Sequence, residues 1–207
     1  MKNIFIAIIL LASSSAIAQR NRVNDDGTEK FFRFGATAAV NINKINGQSY
    51  KTGFNYNYQL GAFAQINFAR KIGLQPEVNF VQTTTEFTND ATDVYDDIFR
   101  DGSQKTAKLS YVEVPLLLNV NVGTTKKVKL QFGPAYGALI KQTVDSLKTN
   151  GSIYKNANWS AIGGLWIQLP LVNFGARYKL GLSNLNDIDN RQTWKSQAIQ
   201  IFIGVTL

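Results

Sequence analysis

The chain has 207 residues, 44% hydrophobic and 12% aromatic, with only 17% charged and a formal net charge of +8. That length fits one domain or one β-barrel and leaves no room for two comfortable domains, and so apolar a composition excludes disorder as the main state. Neither cysteine nor histidine occurs, which excludes disulfides, thiolate zinc sites, a lipid-modified N-terminal cysteine and every Ser-His or Cys-His catalytic arrangement.

The first element is a targeting segment. Lys2 supplies a positive n-region, Ile4 to Ala12 an apolar h-region, and Ala16-Ile17-Ala18 a small-residue cleavage site before Gln19. The apolar run is about half the roughly 20 residues that a spanning helix needs. Residues 1–18 are therefore predicted to be a cleaved signal peptide, 19–30 an N-terminal periplasmic segment, and 31–207 the folded unit. Losing Lys2 from 22 basic residues leaves 21 against 14 acidic, a formal +7. The export signal and the scattering of these charges argue against a nucleic-acid partner.

Eight segments then alternate apolar and polar residues with period two, the signature of half-buried strands. In the first, Phe32, Phe34, Ala36, Ala38, Val40 and Ile42 stand against Arg33, Gly35, Thr37 and Asn41. In the second, Tyr58, Leu60, Ala62, Ala64, Ile66 and Phe68 oppose Gln59, Gly61, Gln65 and Asn67. The third runs from about Gly73 to Phe87. The fourth sets Val112, Val114, Leu116, Leu118, Val120 and Val122 against Tyr111, Glu113, Asn119 and Asn121. The fifth, Val128 to Val144, and the sixth, Asn158 to Leu169, keep the pattern with local lapses. The seventh sets Val172, Phe174, Ala176, Tyr178, Leu180 and Leu182 against Asn173, Gly175, Arg177, Lys179 and Gly181, and the eighth, Ser196 to Leu207, ends Ile199, Ile201, Ile203, Val205, Leu207.

Connection lengths alternate as well. Residues 69–71, 123–127 and 170–171 form short links, whereas 44–55, 88–106, 145–157 and 183–195 form long ones. An even number of antiparallel strands with short turns at one rim and long polar loops at the other predicts an all-β fold. It is an eight-stranded transmembrane β-barrel with short periplasmic turns and long extracellular loops. The alternative is a secreted soluble barrel that turns its apolar face inward around a lipophilic ligand. Volume opposes it: the apolar face carries on the order of forty-five side chains, whereas an eight-stranded barrel of the TIM type packs about twelve inside. The opposite face is rich in Gly, Ala, Asn, Gln and Thr, as a crowded polar interior would be.

On that polar face lie the candidate site residues Arg33, Glu77, Glu113, Lys129, Arg177 and Lys179. Isolated charges in a low-dielectric lumen are costly, so the favoured reading is a structural charge cluster in which the two carboxylates are neutralised across the lumen. The competing reading is an acid/base pair or a proton or cation pathway. Oxygen-bearing side chains also gather in two long loops, Asp90, Asp93, Asp96, Asp97 and Asp101 in one, and Asn184, Asn186, Asp187, Asp189 and Asn190 in the other, the kind of oxygens that calcium uses. Neither run matches a calcium loop, and solvation explains both, so no metal and no cofactor is expected. Tyr56, Tyr58, Trp159 and Trp194 are expected in the aromatic girdle at the long-loop interface. Trp166, by its parity, should face inward.

Several of these segments resemble the outer-membrane β-barrel domain family of Bacteroidetes, often labelled porin family or PorT-like. The carriers are Gly73-Leu74-Gln75-Pro76-Glu77, the run from Leu109 to Leu118, Phe132-Gly133-Pro134-Ala135-Tyr136, and the run from Arg177 to Asn184. Tyr111, Glu113 and Pro115 are the most specific part. The resemblance runs from about Phe31 to the C-terminus and implies an eight-stranded barrel in the cell outer membrane, for most members without an assigned activity. Leu207 departs from the aromatic residue with which such barrels usually end and which the insertion machinery reads, a departure that bears on assembly.

Three function classes follow. The favoured one is a non-enzymatic barrel whose loops serve adhesion, envelope integrity or partner binding. Its expected partners are outer-membrane lipid or lipopolysaccharide and, during assembly, the barrel-insertion machinery, and the chain is expected to be a monomer. A small-solute channel is second, disfavoured because eight strands leave an interior that side chains fill. A lipid-modifying or proteolytic enzyme is third, because histidine, the usual base, is missing.

Overall fold

The computed structural model describes residues 30–46, 54–69, 71–86, 106–123, 127–144, 154–187 and 193–207. The signal segment, nearly all of 19–30, the Asp90 to Asp101 cluster, and Asp189 and Asn190 lie outside the described residues.

The strands are β1 (Phe32–Asn46), β2 (Asn55–Asn67), β3 (Ile72–Glu86), β4 (Thr106–Val122), β5 (Val128–Val144), β6 (Ala157–Gln168), β7 (Val172–Gly181) and β8 (Lys195–Thr206). Each pairs antiparallel with the next, and β8 closes on β1 from Gly35↔Thr206 to Asn46↔Lys195, giving a closed eight-stranded barrel. Closure satisfies every edge, which a sheet in lipid requires because no water is there to pair with open N–H and C=O groups.

Side-chain direction follows the period-two pattern. In β4, Tyr111, Glu113, Pro115, Leu117 and Asn119 are buried inside, while Val114 and Leu116 are exposed on the outer wall. The outer surface carries a continuous apolar coat that includes Leu60, Val78, Phe132, Leu165, Phe174 and Ile201. The soluble, ligand-enclosing barrel is thereby overturned, since its apolar face would have to point inward.

The lapses in the alternation have structural meaning. Ala107, Leu109, Leu117, Ile162, Trp166 and Phe202 hold inward positions and are buried there, so they line the lumen. The lapse in β5 is a β-bulge. Its register passes from Tyr111↔Leu139 to Ser110↔Lys141, leaving Ile140 as the extra residue. Beyond it the parity of β5 reverses, so that Lys141 is exposed outside and Gln142 faces inward.

Three prolines mark a second irregularity. The ladder lapses between Pro76↔Leu116 and Asn79↔Glu113, and again between Pro115↔Ala135 and Leu118↔Phe132. A proline supplies no N–H to the ladder. The inner wall beside these gaps is apolar, formed by Leu117, Ala135 and Ile162.

Candidate functional site

The site is the lumen and its outer mouth. Near the short-turn rim, Trp166 on β6 stacks between Phe63 on β2, ring centroids 5.1 Å apart, and Phe202 on β8, 5.0 Å apart. Glycines on the inner face make room for them. A Cβ on Gly175 would stand 2.6 Å from the Phe202 ring, and one on Gly35 would stand 2.7 Å from the Phe63 ring. The chain thus fills this end with aromatic rings by leaving the neighbouring positions in the ladder without side chains.

Above that layer, Glu77 and Arg177 reach each other from β3 and β7, opposite walls of the barrel. Arg177 Nη2 donates to Glu77 Oε1 at 2.7 Å and Nη1 to Oε2 at 2.9 Å, a two-pronged pair. Gln75 Nε2 donates to Oε1 at 2.7 Å and Asn79 Nδ2 to Oε2 at 3.1 Å. The guanidinium lies 4.6 Å above the Phe202 ring and 5.6 Å from that of Trp166. Its Nε donates to Gln131 Oε1 at 2.8 Å; Gln131 Nε2 donates to Asn119 Oδ1 at 2.7 Å, and Asn119 Nδ2 to Gln75 Oε1 at 2.8 Å. This closes a ring of hydrogen bonds through Glu77, Arg177, Gln131, Asn119 and Gln75. Full hydrogen bonding is what makes a buried ion pair tolerable, because each charge has lost its water.

One step nearer the long loops, Lys179 on β7 pairs with Glu113 on β4. The six charged residues singled out from the sequence therefore do not form one cluster. Two pairs lie centrally, while Lys129, also buried, stands one residue pair closer to the short-turn rim, opposite Trp166 in the ladder. Arg33 lies at that rim, where Nη2 reaches the Pro170 carbonyl oxygen at 3.5 Å. Parity assigns the face but not the height along the strand, which register decides. Gln75, Asn119 and Gln131, the neutral members of the ring, carry no charge that would have drawn attention to them in the sequence.

Toward the long-loop mouth, the described residues form a second plug. Tyr154, Leu185 and Trp194 are fully buried among Ile45, Val81, Leu109 and Tyr111. Tyr154 forms an antiparallel bridge with Asn186, Lys155 N donates to Leu185 O at 3.0 Å, and Leu185 N to Trp194 O at 2.9 Å. Asn184 Oδ1 accepts from the backbone of Asn186 at 3.1 Å and of Trp194 at 2.8 Å. The side chain of Asn184 thus shapes the loop, a role that weighing it as a calcium ligand did not include.

The girdle expectation needs one correction. Tyr56, Tyr58 and Trp159 are exposed on the outer wall, but Trp194 is buried under the loops with its ring centroid 5.6 Å from that of Tyr154. It immediately precedes β8, and its loop folds inward over the lumen. Trp166 faces inward as its parity indicates. With the other two tryptophans replaced by phenylalanine, lipids brominated near the headgroup are expected to quench Trp159 and to leave Trp194 unquenched. Quenching of Trp194 would show that its loop does not fold inward.

Between the plugs lies a partly open chamber of about 40 Å³, with Asn41, Gln59, Tyr111, Glu113, Asn158 and Lys179 among its lining residues. Carboxamides and the Glu113–Lys179 pair share its wall with Ile45, Val81, Leu109, Ile162 and Leu185, so most of the lining surface is apolar.

An antiparallel eight-stranded barrel with an apolar outside and a polar, ion-paired inside defines the class of outer-membrane β-barrels. The chain belongs to the outer membrane protein beta-barrel domain family, whose model matches residues 17–187. The outer membrane is accordingly its location. The match ends in the β7–β8 loop, and β8 completes the barrel beyond it. Among solved structures, the outer membrane protein OprG from Pseudomonas aeruginosa matches at 13% identity and a TM-score of 0.52, over 87% of this chain and 98% of OprG. Ail of Yersinia pestis matches at 12% identity and 0.49, over 86% of this chain and 100% of Ail. The Neisserial surface protein NspA matches at 13% and 0.48, over 85% and 97%. The likeness to OprG supports the fold alone. No curated protein matches the sequence significantly.

Proposed function

We propose that this protein is a non-enzymatic outer-membrane barrel that acts through its long loops, in adhesion, envelope integrity or the binding of a partner. The observation that carries this reading is the obstructed lumen. The Phe63–Trp166–Phe202 stack and the Glu77–Arg177 bridge obstruct one part, and the Tyr154–Leu185–Trp194 plug caps the other. The same plug joins the β5–β6 and β7–β8 connections into one platform at the outer face. An enzymatic reading has less support, since the sequence holds no histidine or cysteine and both central carboxylates are engaged by Arg177 and Lys179. Within the family we place the chain with the porin-family, PorT-like barrels of Bacteroidetes, on the strength of Tyr111, Glu113 and Pro115. Outer-membrane lipid and lipopolysaccharide are its proposed surroundings, the insertion machinery its partner during assembly, a cleaved signal peptide its route of export, and a monomer its working form.

The second reading, passage of small solutes, is favoured by the chamber left between the plugs. Planar-bilayer recording from purified, folded protein separates the two. The expected result is no steady open-pore current, because side chains fill an eight-stranded interior. A stable nanosiemens-scale conductance would transfer the function to the channel reading.

A further inference from the structure

Two lysines stand side by side on the outer wall near the long-loop rim. Across the seam that closes the barrel, Lys44 on β1 pairs with Gln197 and Asn46 with Lys195 on β8, so Lys44 and Lys195 are diagonal neighbours. Both hold outward positions, Lys44 in line with the exposed Val40 and Lys195 in line with the exposed Ile199 and Ile201. Diagonal neighbours of an antiparallel pair are about 7–8 Å apart, and long side chains bridge that distance. The two ammonium groups can therefore converge on one anion.

The protein supplies no such anion. Five consecutive strands around the barrel, β6, β7, β8, β1 and β2, contain no aspartate or glutamate. Their other cations, Arg33, Arg177 and Lys179, lie on the inward parity, so Lys44 and Lys195 are the outward charges of that whole wall. Among the described residues neither has an ion-pair partner. Asp187, the described carboxylate nearest to Lys195 in the chain, follows Asn186, whose bridge to Tyr154 carries that loop over the lumen. Lys44 places its ammonium 5.2 Å from the Phe54 ring centroid, a contact that accepts a cation without neutralising it. Like charges held together on a sheet repel, and an anion from outside relieves that repulsion.

Height on the wall selects which anion. Tyr56, Ile42 and Ile199 form one row across β2, β1 and β8, and Tyr56, 74% exposed, marks the interface as girdle aromatics do. Lys44 is the next outward residue beyond that row toward the long loops, and Lys195 is the second. Two residues advance a strand by about 7 Å, which carries both ammonium groups from the girdle into the headgroup layer. A free anion would find there only two solvated cations on an open wall. A lipid phosphate brings acyl chains that cover Tyr56, Ile42 and Ile199 below, so apolar burial adds to the charge contact.

We propose that Lys44 and Lys195, flanked by Phe54 and Tyr56, form a docking site for the phosphate of an outer-leaflet lipid whose acyl chains lie along the β8–β1–β2 wall. The site rests on the reading that lipid and lipopolysaccharide surround this wall, and it specifies where one such lipid is held and by which groups.

The test uses the folded protein in neutral detergent micelles with EDTA, its lysines carrying carbon-13 dimethyl labels, which keep the charge, and diphosphoryl lipid A as the probe. The Lys195 signal, assigned by its loss in Lys195→Gln, is expected to shift saturably, and dephosphorylated lipid A should give no saturable shift. Lys44→Gln should weaken half-saturation about fivefold, the equivalent of ~1 kcal/mol for one cation at an anionic surface. Lys44→Arg keeps the charge and should stay within about twofold of the parent, as should Lys71→Gln at the opposite rim. Linear drift of the Lys195 signal, or equal weakening by Lys44→Gln and Lys71→Gln, would overturn the site. Weakening by Lys44→Arg as large as by Lys44→Gln would overturn recognition by charge. Saturation by sodium phosphate as tight as by lipid A would overturn the lipid as its source. A fluorophore at position 116 distinguishes the two levels of failure: quenching there by lipid-borne quenchers with no Lys195 response removes this site alone, whereas loss of both removes the lipid-facing wall as well.

Discussion

Arg177→Met is expected to cost about 3–5 kcal/mol of folding free energy, the range found when one partner of a buried ion pair is removed. The loss comes mainly from what remains. Glu77, 2% exposed, would keep its carboxylate inside the barrel with only the amides of Gln75 and Asn79 to bond it. Gln131 Oε1 would lose its donor as well, opening the ring that continues to Asn119 and Gln75. Adding Glu77→Gln to the same chain removes the orphaned charge and should restore most of the loss. Reversible denaturant unfolding in lipid vesicles measures both variants. If Arg177→Met were within about 1 kcal/mol of the parent, the pair would be solvated to the degree of a surface salt bridge, and the obstructed-lumen reading would fail with it.

The second large effect lies on the other side of the same wall. Leu116 is in the inner part of β4 and 45% exposed among apolar neighbours, so Leu116→Arg should cost about 2–4 kcal/mol if this face meets lipid near the midplane. Asn119, of opposite parity, is 1% exposed and makes two hydrogen bonds, donating to Gln75 and accepting from Gln131. Asn119→Ser breaks the ring there and should cost about 1–3 kcal/mol by leaving buried amides unpaired. Because those ranges overlap, the faces are separated by labels rather than by stability. A fluorophore at position 116 should be quenched by lipid-borne quenchers and one at 119 should not. The reverse result would invert the barrel.

Much of the architecture was legible because a membrane barrel imposes one rule along its whole length. Each strand places alternate residues in lipid and in the lumen, so Val112 to Val122 or Ile199 to Leu207 declare a strand and its faces together. Alternation of short and long connections then sets the rims. The reading faltered wherever a residue's role depended on height or on a neighbouring strand. Tryptophan near a strand end usually marks the interface, yet Trp194 is buried and its ring packs on Tyr154. Leu109, Leu117, Ile162 and Phe202 are apolar residues at inward positions, and they line or plug the lumen.

The sequence by itself determined the strand count, the lipid and lumen faces, the rim at which long loops gather, and the presence of unusual charge on the inner wall. These follow from local periodicity, which needs no partner strand to be defined. Only the tertiary structure decided that Glu77 meets Arg177 and Glu113 meets Lys179, that neutral Gln75, Asn119 and Gln131 complete a ring, and that Tyr154, Leu185 and Trp194 pack together under the loops. Those contacts join residues from different walls of a closed barrel. Their alignment depends on register, the β5 bulge and the proline gaps, quantities fixed by how strands pair rather than by the order of residues along any one of them.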